Sequence, residues 1–170
     1  NGYTDENGKI IINELSVILS DETGVIPDAY ISYNEDGTIH INLPEGKNIS
    51  YSDRITVTVV DSVGNPVANK CIVMKDTIGN EYTNKTSENS SAMIPPTNID
   101  YTDVNGYAEV SGFMIILQRE TGVVEDAFVE LDENNSVKIT LPEGMEINDT
   151  EKIAVIVTNK SDGTPVEGIS

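Results

Sequence analysis

Hydrophobic and polar residues alternate along Ile55–Val60, where isoleucine and valine positions are separated by threonines. A period of two residues is typical of a strand with one buried face. Gly64–Pro66 interrupts the pattern, because glycine permits a tight turn and proline donates no ladder hydrogen bond. Cys71–Met74 then resumes an apolar run. The stretch therefore predicts a strand, a turn and a returning strand.

Short strands separated by turns are predicted along the rest of the chain, and no segment has a sustained helical period. Asn34–Gly37 contains an Asp-Gly pair, which is typical of a hairpin turn. Residues 84–100 are polar and contain two prolines, so we predict a long surface loop there. The predicted strands are Leu15–Leu19, Ala29–Tyr33, Thr38–Leu43, Ile55–Val60, Cys71–Met74, Glu81–Thr83, Tyr107–Val110 and Phe113–Leu117.

The pattern recurs 98 residues further along the chain. Tyr3–Gly8 returns as Tyr101–Gly106, and Ile41–Gly46 returns as Ile139–Gly144. One extra residue near Asp162 is the only break in the offset. Self-similarity at a fixed period indicates a tandem array, and six or seven short strands in each period favour β-sandwiches.

The repeat predicts three segments: residues 1–54 as the end of one repeat, 55–152 as a complete repeat and 153–170 as the start of another. On this view the chain is a fragment of a longer protein. Ile55, Val57 and Val59 and their counterparts Ile153, Val155 and Val157 should point into equivalent cores. Ile153–Thr158 should pair with Phe113–Leu117 or Val137–Leu141, or present an open edge.

Composition narrows the classes of partner. The 170 residues are 38% hydrophobic and 5% aromatic, and the net charge is −19. Such a charge disfavours nucleic acid and anionic membrane surfaces, which bind clustered lysine and arginine. No apolar run is long enough for a transmembrane helix, so no membrane insertion is expected. The single cysteine, Cys71, cannot close an intrachain disulfide.

Two turns contain residues that could contact a cation: Asp5 and Asn7, and Asp103 and Asn105. A calcium loop needs six or more converging oxygens, and each run supplies fewer. The same residue types favour hairpin turns. We therefore expect structural turns and no cofactor, with a weak calcium site as the alternative.

The sequence shows no catalytic arrangement of residues, and we expect that the protein is not an enzyme. The only histidine, His40, is predicted on the outer face of a strand, and no base is placed beside Cys71 by any motif. No phosphate loop, nucleophile elbow or metal-binding cysteine and histidine spacing is present.

A family resemblance rests on two segments. Val59–Val67 (Val-Val-Asp-Ser-Val-Gly-Asn-Pro-Val) together with Thr102–Val110 (Thr-Asp-Val-Asn-Gly-Tyr-Ala-Glu-Val) resembles the bacterial immunoglobulin-like repeats of invasin- and intimin-type proteins. Similar repeats occur in large bacterial surface proteins with S-layer homology domains. The resemblance implies an all-β fold of immunoglobulin-like β-sandwich repeats in tandem.

The resemblance also implies a structural or adhesive module of a bacterial cell-surface protein, acting as a stalk or spacer. Its partners would be neighbouring repeats of the same protein or surface assembly, and its location extracellular, at the cell surface or cell wall. The alternative is a module that binds carbohydrate or a host protein through residues 84–100. Exposed aromatic side chains would favour that alternative, and Tyr82, Tyr101 and Tyr107 are the nearest.

Overall fold

Short strands joined by turns make up the chain, and the computed structural model describes all of residues 1–170. It contains no helix, and so none that could cross a membrane. The chain divides into two units, Asn1–Pro96 and Thr97–Ser170. Ile55–Val60 pairs with Leu15–Asp21 inside the first unit.

The first unit has two sheets. One has the strand order β1-β5-β6-β8-β9, and the other has the order β10-β7-β3-β2 with the short β4 also paired to β3. All pairs are antiparallel except β6 and β8, which are parallel. The strands are β1 (Gly2–Tyr3), β2 (Lys9–Ile12), β3 (Leu15–Asp21), β4 (Gly24–Val25), β5 (Tyr30–Tyr33), β6 (Ile39–Asn42), β7 (Ile55–Val60), β8 (Cys71–Lys75), β9 (Glu81–Lys85) and β10 (Ser91–Ile94).

One hydrophobic core joins the two sheets of the first unit. Strand β7 buries every second residue, as its alternation predicts. Ile55, Val57 and Val59 are fully buried, and they belong to the same cluster as Ile41 of the other sheet. Two sheets that share an aliphatic core form a β-sandwich-like arrangement.

The second unit also contains two sheets. One has the order β11-β15-β16, and in the other β13 pairs with β12, β14 and β17. All of these pairs are antiparallel. The strands are β11 (Ile99–Tyr101), β12 (Tyr107–Val110), β13 (Phe113–Arg119), β14 (Gly122–Val123), β15 (Phe128–Leu131), β16 (Val137–Thr140) and β17 (Ile153–Asn159).

Strand pairing in the second unit follows that of the first at the 98-residue offset. Lys9 lies opposite Ile18, and Tyr107 lies opposite Ile116. A buried threonine is also placed alike in each unit: the hydroxyl oxygens of Thr4 and Thr102 accept the N–H groups of Ala29 and Ala127 at 3.0 and 2.9 Å. These equivalent positions therefore make equivalent contacts.

The two predictions about the last strand have different outcomes. Strand β17 pairs with β13 along its whole length, as expected. The prediction of equivalent cores is wrong in part, since Val155 is 47% exposed whereas Val57 is fully buried. Ile153 and Val157 pack against the second core but are only partly buried.

The predicted loop over residues 84–100 is also wrong in part. Ser91–Ile94 forms β10 beside β7, and Ala92 and Ile94 are buried in the first core. Ile99–Tyr101 forms β11 in the second unit. The segment is polar in composition, but two of its apolar side chains, Ala92 and Ile94, become part of the core.

Candidate functional site

The four residues considered for a cation site lie in tight turns. The Oδ1 atom of Asp5 accepts the backbone N–H groups of Asn7 and Lys9 at 2.8 and 3.0 Å. Asp103 does the same for Asn105 and Tyr107 at 2.8 and 3.1 Å. One carboxylate oxygen of each aspartate is therefore already used to hold the turn together.

The same turn recurs at Asp61, Asp76 and Asp132. Each Oδ1 accepts the N–H groups two and four residues further on, at distances between 2.8 and 3.2 Å. In all five turns the residue three positions after the aspartate has positive φ, and it is glycine or, once, asparagine. The shared motif was not among the predictions, although four of the five turns read Asp-x-x-Gly in the sequence.

These hydrogen bonds lower the pKa of several aspartates. The N–H of Asn65 is the largest cause at Asp61, and the N–H of Ser136 has that role at Asp132. Burial raises the pKa of Asp76, but N–H groups including that of Ile49 outweigh it, so the net shift is downward. The charged form of each carboxylate is stabilised by the N–H groups from which it accepts hydrogen bonds.

Residues 1–170 contain no cluster of potential metal ligands. No group of three or more histidine, cysteine, aspartate or glutamate side chains converges in a way that could hold an ion. The acidic residues are spread over separate turns, as the hydrogen bonds of Asp5, Asp61 and Asp103 illustrate. Dispersed carboxylates create a negative surface but not a coordination shell.

The only histidine and the only cysteine lie on neighbouring strands. His40 of β6 is opposite Val73 of β8, two residues from Cys71. Both side chains are half-buried and alternate with the core residues of their strands. Both side chains therefore lie on the outer face of this sheet.

The three tyrosines near residues 84–100 belong to different surroundings. Tyr82 packs against the first core, and its hydroxyl is 2.7 Å from that of Tyr51. Tyr101 and Tyr107 are 45% and 41% exposed and lie in different sheets of the second unit.

A polar groove of about 460 Å³ lies beside Arg119 in the second unit. The Oε1 atom of Glu151 accepts the hydroxyl and the N–H of Thr121 at 2.6 and 3.2 Å, and it lies 3.9 Å from Nε of Arg119. The Thr121 hydroxyl is the main cause of a lowered pKa at Glu151. In the first unit the counterparts of Arg119 and Met145 are Asp21 and Lys47, which form an ion pair.

The second unit also has an apolar groove of about 290 Å³, which we call the open face. Seven aliphatic residues of the first unit have counterparts in the second unit at the 98-residue offset, and all seven are buried. They are Ile39, Ile41, Leu43, Ile49, Ile55, Val57 and Val59. In the second unit none of the seven is buried. The groove is lined by Val137, Ile139, Val155, Val157, Ile169 and Ser170.

The chain matches no protein-family model, and neither a curated protein nor a solved structure shows significant similarity to it.

Proposed function

We propose that the chain is a tandem pair of immunoglobulin-like β-sandwich repeats that serves as a stalk or spacer, or as an adhesive module, of a bacterial cell-surface protein. The observation that carries the proposal is the recurrence of one strand pairing at a fixed offset. Leu19 and Leu117, for example, each donate their N–H to the carbonyl of the glycine in the preceding turn, at 2.9 Å in both units.

A spacer needs folded units that can be repeated and that stay soluble. Each unit buries its own aliphatic core, so adding a unit adds length without a new kind of contact. A net charge of −19 keeps neighbouring molecules apart through electrostatic repulsion. The proposed location is extracellular, the proposed partners are neighbouring repeats, and the role involves no catalysis.

The alternative role is binding of carbohydrate or a host protein. The surface that residues 84–100 offer for it is smaller than the sequence suggests. Ala92 and Ile94 are buried beside β7, so this part of residues 84–100 is not available to a partner. Binding through the polar groove at Arg119 would place any ligand among Glu143, Glu146 and Glu151. Such a surface would repel acidic glycans.

Force spectroscopy on the 170-residue chain held between inert handles tests the spacer role. We expect two separate unfolding events, because the two units have separate cores. Full extension of the first unit, Asn1–Pro96, should release roughly 30 nm of chain, at about 3.3–3.6 Å per residue. One event that releases the whole chain would contradict independent units, and micromolar binding on a glycan array would favour the alternative.

A further inference from the structure

The first unit shows what covers the surface that the second unit leaves open. Strand β8 lies parallel to β6, with Ile72 opposite Ile39 and Met74 opposite Ile41. Strand β10 lies antiparallel to β7, with Ala92 opposite Val57. Ile72, Met74, Ala92 and Ile94 are all buried in the first core. These four side chains close one side of the sandwich.

The corresponding strand edges of the second unit have no such neighbours. Strand β16 pairs only with β15, and β17 pairs only with β13. Aliphatic side chains of the second unit are more exposed than their counterparts in the first. Ile49 is 6% exposed, whereas its counterpart Ile147 is 77% exposed. An unpaired strand edge beside exposed aliphatic side chains is a site for strand addition.

In the second unit, Ser170 lies at the position where the parallel strand begins in the first unit. The N–H of Val137 donates to the carbonyl of Ser170 at 2.8 Å. After the extra residue near Asp162 the offset is 99, so Ser170 corresponds to Cys71, the first residue of β8. This hydrogen bond places Ser170 beside the start of β16, as Cys71 begins the strand beside β6 in the first unit.

We propose that the open face takes up a strand pair with the chemistry of Cys71–Ile94, entering at Ser170. One strand runs parallel to β16, and the other runs antiparallel to β17 opposite Val155. Small and medium-sized aliphatic side chains at alternate positions fill the groove, while polar residues face water. The inference rests on the proposed tandem arrangement and names the partner that the second repeat requires.

The test compares the 170-residue chain with a chain in which a copy of Ile72–Ile94 follows Ser170. Hydrogen exchange read by mass spectrometry should slow by about tenfold in residues 137–141 and 153–159 of the extended chain. Exchange in Ile55–Val60, whose cover is already present, should be unchanged. This internal reference separates the effect from a general change in stability.

Two variants of the extended chain make the test specific. Val155→Asp places a charge in the groove and should abolish the slower exchange in residues 153–159. Val123→Asp, on β14 and away from the groove, should retain it. An appended segment with aspartate in place of the copied Ile72, Met74, Ala92 and Ile94 should also have no effect.

Three results would overturn the inference. The first is unchanged exchange in the extended chain, and the second is an equal effect of the aspartate-substituted segment. The third is a dimer of the 170-residue chain, seen by sedimentation, in which residues 153–159 are already protected, because a second copy would then occupy the groove. The proposed spacer role is tested separately, by the number of unfolding events in force spectroscopy.

Discussion

The contribution of an aliphatic side chain to stability depends on the residues that bury it. Positions 98 residues apart allow this to be compared for the same residue type. Val57 and Val155 occupy equivalent strand positions, but only Val57 is fully buried. The difference lies in the neighbours, since Val57 faces Ala92 across a strand pair and β17 lacks that neighbour. The same residue type in the same local structure therefore has two energetic roles.

We expect Val57→Ala to lower the free energy of unfolding of the first unit by about 2 kcal/mol, because two buried methyl groups are lost and a cavity remains. Val155→Ala should change that of the second unit by no more than about 0.5 kcal/mol. Denaturant titrations followed by hydrogen exchange in each unit would measure both. Equal losses would mean that Val155 is covered in solution.

The turn aspartates make a second prediction, about acid. The pKa of Asp61 is lowered in the folded chain by the N–H groups of Asn65 and Val63. Its contribution is therefore fully present above the ordinary aspartate pKa of about 3.9 and is lost as the pH falls through the lower folded value. The melting temperature of the native chain should approach that of Asp61→Ala below about pH 3.9.

Asp61→Ala shares every other titrating group with the native chain, so the difference between them isolates this carboxylate from the general discharge of the surface. Substitution of the exposed Glu88 by Gln serves as the control and should show no such convergence. A difference that stays constant down to pH 2 would show that the hydrogen bonds do not depend on the charge of Asp61.

Elements that alternate over five or more residues could be predicted from the sequence, and those defined by a distant partner could not. Strand β7 was predicted with its observed bounds, because its own alternation defines the buried face. Strand β10 was missed, since Ser-Ala-Met-Ile carries no strong pattern and becomes core only beside β7. The short β4 depends in the same way on β3.

The candidate site shows the same limit. The turn role of Asp5 and Asp103 could be predicted, because an aspartate followed by glycine at the third position is a local signal. An open edge at Ile153–Thr158 was predicted as one alternative. The exposure of Val155 could not be predicted, since it depends on strands that are absent from its neighbourhood rather than on its own sequence. The 98-residue repeat supplies the only sequence information about it, by comparison with Val57.

At the scale of elements, two turn glycines, Gly8 and Gly106, lie very close to the backbone of a neighbouring strand. A Cβ on Gly8 would lie 2.5 Å from the carbonyl oxygen of Leu19, and one on Gly106 would lie 2.6 Å from that of Leu117. Both glycines have positive φ, at 70° and 75°. Side chains are therefore excluded for two separate reasons, strain in the backbone and contact with a carbonyl.

We expect Gly8→Ala and Gly106→Ala each to destabilise their own unit by about 3 kcal/mol, which combines the positive-φ cost with overpacking. Gly64→Ala is the matched control, because φ is 89° there but nothing lies near the added methyl group. It should cost only about 1–2 kcal/mol. Equal losses at Gly8 and Gly64 in thermal unfolding would show that the strand beneath yields without cost.

At the scale of the whole molecule, charge is the dominant feature. A net charge of −19 on 170 residues repels itself, and that repulsion weakens the folded state. Screening by salt should relieve it, since the Debye length shortens from about 30 Å at 0.01 M to about 10 Å at 0.1 M. We expect the melting temperature to rise with sodium chloride over this range.

Calcium should act as a salt and not as a ligand, because Asp5 and Asp103 each already use one oxygen within their turns. Thermal unfolding with calcium, with EDTA, and with sodium chloride at matched ionic strength separates the two effects. The calcium and sodium curves should coincide, and EDTA should change nothing. A rise of several degrees at micromolar calcium that is lost in Asp103→Ala would instead establish calcium as a structural cofactor, bound by the Asp103 turn with oxygens from elsewhere.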